Sequence, residues 1–121
     1  MAAARFQMFQ ATTDRVDWRF LSANNRSIAR SVHDFPDAYA CLNSLTELIK
    51  GLDGANVVTV RNGQGMWHWQ LRAGAVALAV SSRQYQRRIR AHAAGGGFLT
   101  LAKQVHDVTG LQLVSFDRAD T

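Results

Sequence analysis

The stretch RQYQRRIRAH at 83–92 sets Arg83, Arg87, Arg88 and Arg90 in close succession. A guanidinium is planar and charged, and it pairs bidentately with phosphate or carboxylate. On a helix, Arg83, Arg87 and Arg90 follow at spacings of four and three and share one face, with Tyr85, Ile89 and His92 on another. The start of a helix favours an anion, because its free N–H groups and dipole point there. The same arginines repel one another and sit at the end the dipole disfavours for cations, and such local conflicts mark functional sites. Together with Arg72 they form the candidate anion-binding set. The plain alternative is that they solvate the helix.

The distribution of charge favours the first reading. The chain has 121 residues and a net charge of +5, yet no acid lies between Asp53 and Asp107. Arg61, Arg72, Arg83, Arg87, Arg88, Arg90 and Lys103 all fall in that interval. An asymmetry of this kind points to a polyanion or an acidic protein as partner.

Other chemistry is hard to assemble. His33, His68, His92 and His106 show no metal-type spacing with one another or with Cys41, so no metal is expected. There is no Gly-x-Ser-x-Gly elbow, and nothing brings His33 to Cys41 as a base. Cys41 sits among Tyr39, Leu42 and Leu45 in a helical pattern and reads as a buried free thiol. Asp14, Asp17, Asp34 and Asp37 fall in turns, where aspartate bonds its own backbone. The GGG at 95–97 lacks the Lys-Ser/Thr of a phosphate loop and lies inside a helical pattern, so it reads as a break or kink. No catalytic residue and no cofactor is expected, and a non-enzymatic role is.

The elements that must carry these residues follow from periodicity. RFQMFQA (5–11), VDWRFLSA (16–23) and SIARSV (27–32) alternate as half-buried strands. In DFPDAYACLNSLTELIKGLDG the period changes. Ala38, Leu42, Leu45, Leu48, Ile49 and Leu52 form one helix face, capped by Asp34 or Asp37 and ended near Gly51 and Gly54. The order then recurs. ANVVTVRN (55–62), MWHWQLRA (66–73) and VALAVSS (76–82) are strands. A helix follows, with Ile89, Phe98, Leu101 and Val105 as its stripe and Gly110 as its stop, and LQLVSF (111–116) is a last strand. Trp18 aligns with Trp69, Phe20 with Leu71, Val16 with Trp67, Ile28 with Leu78, Ser31 with Ser81 and Phe35 with Tyr85.

Trp67, Trp69 and Leu71 share a strand face, with His68, Gln70 and Arg72 opposite. Packing under the helices is the expected role of the tryptophans, since each buries ~150–250 Å² at ~25 cal/mol per Å². The rival is an exposed platform for bases or sugars.

Two stretches, VDWRFLSANNRSIARS and MWHWQLRAGAVALAVSS, each precede an aromatic residue (Phe35, Tyr85) and a helix. In this the chain resembles the YegP-like proteins, built from tandem strand–strand–strand–helix repeats. LSANN and LRAGA match that family's LKA-like strand ending. The usual turn glycine is missing from the first copy, and the second helix carries GGG where the family is more compact. The resemblance implies one antiparallel sheet, helices on one side, and the strand after each helix exchanged into the other unit. It implies no activity, because the family has none established.

The expected architecture is therefore α+β: two tandem βββα repeats, 5–54 and 55–117, in a single domain over 1–121, with two helices on one face of an antiparallel sheet. AGAVALAV (73–80) is too short to cross a bilayer, and the N-terminal stretch has no signal-peptide pattern. A cytoplasmic protein with no membrane partner is the expectation. The leading function is a small binding module for an anionic partner. The alternative is a structural protein that forms homo-oligomers through its sheet face or edges. A basic and aromatic open face would favour nucleic acid, and an apolar one self-association.

Overall fold

Alternation of apolar and polar side chains gives each strand one face to bury, and the helices cover that face. The computed structural model describes residues 3–105 and 113–115. β1 (Arg5–Thr12), β2 (Arg15–Leu21) and β3 (Ser27–Arg30) form an antiparallel meander. α1 (Ala38–Gly51) follows and ends in a 3-10 turn at Leu52–Gly54. Next come β4 (Asn56–Arg61), β5 (Trp67–Ala73), β6 (Val76–Ser81) and α2 (Arg88–Ala102), with β7 (Leu113–Ser115) last. The chain is α+β, with six antiparallel strands and two helices.

The sheet order is β4-β5-β6-β3-β2-β1-β7. The two meanders meet along β3 and β6, where only Ala29↔Ser81 and Arg30↔Val80 pair. Two hydrogen bonds lengthen this seam. Ser82 N–H donates to the Ile28 carbonyl at 3.1 Å, and the Ser27 and Ser82 hydroxyls lie 2.7 Å apart. The sheet is not antiparallel throughout, as the sequence suggested. β7 runs parallel to β1, from Met8↔Leu113 to Gln10↔Ser115. A strand reached through a crossing helix can return parallel, whereas a tight turn cannot deliver one. Exchange of strands is also one-sided: β7 crosses to β1, but β4 pairs with β5, which directly follows it. The remainder of LQLVSF, His106 and Gly110 lie outside the described residues.

The core holds Val16, Trp18, Phe20, Trp69 and Leu71 from the strands against Cys41, Leu45, Leu48, Phe98 and Ala102 from the helices. Trp18 and Trp69 are both 0% exposed, so packing, not a stacking platform, is their role. Phe98 is the hinge of this cluster. Its ring stacks on Trp69 at 5.2 Å between centroids and meets Phe20 edge-on at 5.2 Å. Asp37, not Asp34, caps α1, its Oδ1 accepting from Ala40 N–H at 2.8 Å.

α2 departs from expectation twice. Ile89, assigned to its inner stripe, is 70% exposed. The helix begins only at Arg88, and its register turns Ala91, Gly95, Phe98 and Ala102 inward instead. GGG neither breaks nor ends the helix, which runs through it to Ala102. A Cβ on Gly95 would lie 2.6 Å from Val57 Cγ1 and 3.0 Å from Trp69 Cγ. The glycine lets α2 lie directly on the Trp69 ring.

Candidate anion-binding site

Two backbone bridges fix the entry to each helix. Val16 and Phe35 exchange N–H···O=C bonds at 2.8 Å each, and Trp67 and Tyr85 do so at 2.7 and 2.6 Å. A buried serine braces each bridge. Ser31 Oγ accepts from Trp18 N–H at 3.4 Å, and Ser81 Oγ from Trp69 N–H at 3.3 Å. Ser81 also donates to the Arg83 carbonyl at 2.7 Å, which pins the segment leading into α2.

That segment is not helical, which corrects the placement of Arg83, Arg87 and Arg90 on one helix face. Arg83 precedes α2, and Arg87 is its extended N-cap residue, at φ −121 and ψ 138. The three side chains nevertheless converge. With Met66, Gln84, Tyr85 and Gln86 they line an open cleft of about 430 Å³. The Arg83 guanidinium lies 5.6 Å from the Tyr85 ring centroid, and that of Arg61 lies 5.9 Å from Trp67. Ion pairs among the described residues join Arg15 to Asp34 and Lys50 to Glu47, and none reaches the cleft. Among the described residues, therefore, no acid neutralises its positive charge.

The other two candidates fall outside it. Arg88 is exposed on the first turn of α2 and does not line the cleft. Arg72, on β5, donates to Gln70 Oε1 at 2.7 Å and to the Ala75 carbonyl at 2.8 Å. Its partner Gln70 contacts His68 on the helix-free face. The role of Met66 and Tyr85 as a cleft wall was not foreseen. The Trp67–Tyr85 bridge that creates this wall is a tertiary contact with no periodic signal.

At the corresponding place before α1, aspartates hold the partners. Asp34 pairs with Arg15 at 2.8 Å, and Asp37 caps the helix. Before α2, Gln84 and Arg87 stand at the same distances from Tyr85 as Asp34 and Asp37 do from Phe35, and Arg87 makes no side-chain cap.

The helix-free face is mixed. Register places Val58, Gln70, Val80, Arg30, Arg19 and Gln7 in one row across six strands. Arg19 Nε donates to Gln7 Oε1 at 2.8 Å and its guanidinium lies 5.3 Å from the Phe9 centroid. This face is neither the basic aromatic platform nor the apolar surface that would decide between partners. Cys41 is buried, and burial first, then the nearby Asp17 carboxylate, push its thiol up to about 12. Among the described residues no three His, Cys, Asp or Glu side chains gather as a metal site, and no helix is long and apolar enough to cross a membrane.

No protein-family model matches the sequence, and no curated protein does. Two bacterial proteins are among the solved structures similar in fold. One is a UPF0339 protein of Shewanella oneidensis, with a TM-score of 0.71 at 9% identity over 93% of this chain and 92% of that one. The other is the yegP protein of E. coli, a protein of unknown function, with a TM-score of 0.67 at 10% identity over 95% and 94% of the two chains. The resemblance to YegP-like proteins read from the strand endings is borne out at the level of the fold.

Proposed function

We propose that the chain is a tandem pair of βββα units serving as a non-enzymatic binding module, with an anionic partner held at the cleft before α2. The paired bridges, bracing serines and buried tryptophans support the duplication. The single observation that carries the functional reading is the convergence of Arg83, Arg87 and Arg90 on one cleft without an acidic partner among the described residues. In the first unit the equivalent segment satisfies itself with Asp34 and Asp37. In the second, arginine replaces the cap and the site is left open.

Binding of a polyanion there is expected to be salt-dependent, because phosphate contacts release counterions. The test is a fluorescence titration of single- and double-stranded oligonucleotides at low and moderate salt. Changing Arg83, Arg87 and Arg90 together to Ala should reduce the slope of log K against log salt by ~2–3. Binding unaffected by the triple change would leave the arginines as a solvated surface.

A second reading, self-association, draws on β4. The opposite edge, β1, is covered by β7, while β4 pairs only with β5 among the described residues. Its sequence NVVTVR has no proline or lysine to guard the edge, and its one charged side chain, Arg61, is folded over Trp67. Antiparallel pairing of two copies about Thr59 would set Val58 against Val60 and keep the two Arg61 apart. Val60→Lys should then abolish any dimer seen by sedimentation, and a wild type that stays monomeric at high concentration would refute this reading.

A further inference from the structure

The cleft before α2 has two kinds of wall. Arg83, Arg87 and Arg90 supply charge, while Met66 and the Tyr85 ring supply uncharged, polarisable surface. Gln84 and Gln86 add amide groups that both donate and accept. A bare anion would use only the first wall. A duplex backbone calls for cations spread along a surface, whereas these three surround one concavity. Its volume, about 430 Å³, falls within the ~300–1,000 Å³ of small-ligand sites. Arg83 also lies over the Tyr85 ring, and aromatic rings and guanidinium planes are the surfaces on which nucleic-acid bases stack.

From this we infer that the cleft takes a nucleotide unit, its phosphate on Arg87 and Arg90 and its base against Met66, Tyr85 and the Arg83 guanidinium. The inference rests on the anion-binding reading above and narrows it to a phosphate joined to a planar ring. Ser81 fixes the Arg83 backbone and the Trp67 bridge fixes that of Tyr85, so the stacking wall is built in advance of binding. Pre-organisation of this kind lowers the ordering cost of binding. The unit has two sources, a free mononucleotide or the 5′-phosphorylated end of a single strand.

The experiment is calorimetric titration at low salt with adenosine 5′-monophosphate, ribose 5-phosphate, inorganic phosphate and adenosine. The monophosphate should bind about tenfold or more tighter than ribose 5-phosphate, since one stacked base is worth at least that order. Tyr85→Leu and Met66→Ala, each checked for an unchanged melting temperature, should erase this difference and leave the affinity for ribose 5-phosphate. Arg87→Ala with Arg90→Ala, both exposed positions, should abolish binding of all the phosphates. A short single-stranded oligonucleotide with and without its 5′-phosphate separates the sources: a gain from the terminal phosphate beyond the affinity of the free monophosphate assigns the strand end. Equal affinity for the monophosphate and ribose 5-phosphate overturns the nucleotide assignment while the anion site stands. Phosphate binding that survives the double arginine change overturns both.

Discussion

Cys41 and Asp17 share one cause and one direction: burial disfavours the charged form of each and raises both. For Cys41 the thiol is held at about 12, so the folded protein contains on the order of one thiolate in 10⁵ at pH 7. A raised folded value contributes stability that is complete below the ordinary thiol range and is lost as pH rises through the raised one. Native Cys41 should therefore resist alkylation at pH 7 until the protein unfolds, and alkylation by iodoacetamide at the rate of a free thiol would restore it as a candidate nucleophile. Asp17 is raised by burial first and by Asp34 second, and its Oδ1 is buried without a hydrogen-bond partner. Its stabilising form is the protonated one, present below the ordinary aspartate range and lost as pH rises through the raised value. Asp17→Asn should raise the melting temperature at pH 7 and change it little at pH 3. An equal shift at both values would place the effect in packing, not in charge.

At the scale of elements, α2 separates what a sequence can show from what it cannot. The strands, α1 and its aspartate cap were legible because alternation, helical spacing and capping residues are local signals. Gly95 was misread as a break because propensity is local, while its reason for being there is the Trp69 ring on another element. The start of α2 was misplaced for a similar cause: the Trp67–Tyr85 bridge keeps 83–87 out of the helix, although most of its residues are good helix formers. That one bridge also decides which arginines meet, and so the cleft could not be read from spacing. The three glycines offer a direct check. Ala is favoured over Gly in a helix by ~1 kcal/mol. At Gly96 and Gly97 a Cβ would meet nothing within 4 Å, so Gly96→Ala and Gly97→Ala should each stabilise by up to that amount. At Gly95 the added carbon would collide with Val57 at 2.6 Å, and Gly95→Ala should destabilise by ~1–3 kcal/mol. Chemical denaturation of the three single variants should give opposite signs, and a stabilised Gly95→Ala would show that α2 does not lie against Trp69.

For the whole molecule the question is what joins the β1–β3 meander to the β4–β6 meander. The sheet alone joins them weakly, since β3 and β6 share two residue pairs where β4 and β5 share six. The core does more. Phe98 of α2 touches Trp69 of β5 in one meander, and Phe20 of β2 and Phe6 of β1 in the other, with centroids at 5.2, 5.2 and 6.4 Å. β7, arriving after α2, then pairs with β1 at the edge of the β1–β3 meander. If this aromatic cluster is the coupling, removing its centre should do more than lower stability by the ~3–5 kcal/mol of a buried Phe→Ala change. Phe98→Ala should also separate the unfolding of the two halves, because each keeps its own meander and helix while the shared contacts are gone. Leu48→Ala, buried in α1, is the control: it removes core volume without touching Phe98's ring contacts. Hydrogen exchange followed by mass spectrometry should show β4–β6 opening ahead of β1–β3 in Phe98→Ala, and both opening together in the wild type and in Leu48→Ala. A single concerted transition in Phe98→Ala would move the coupling from the aromatic cluster to the β3–β6 seam and the β7 crossing.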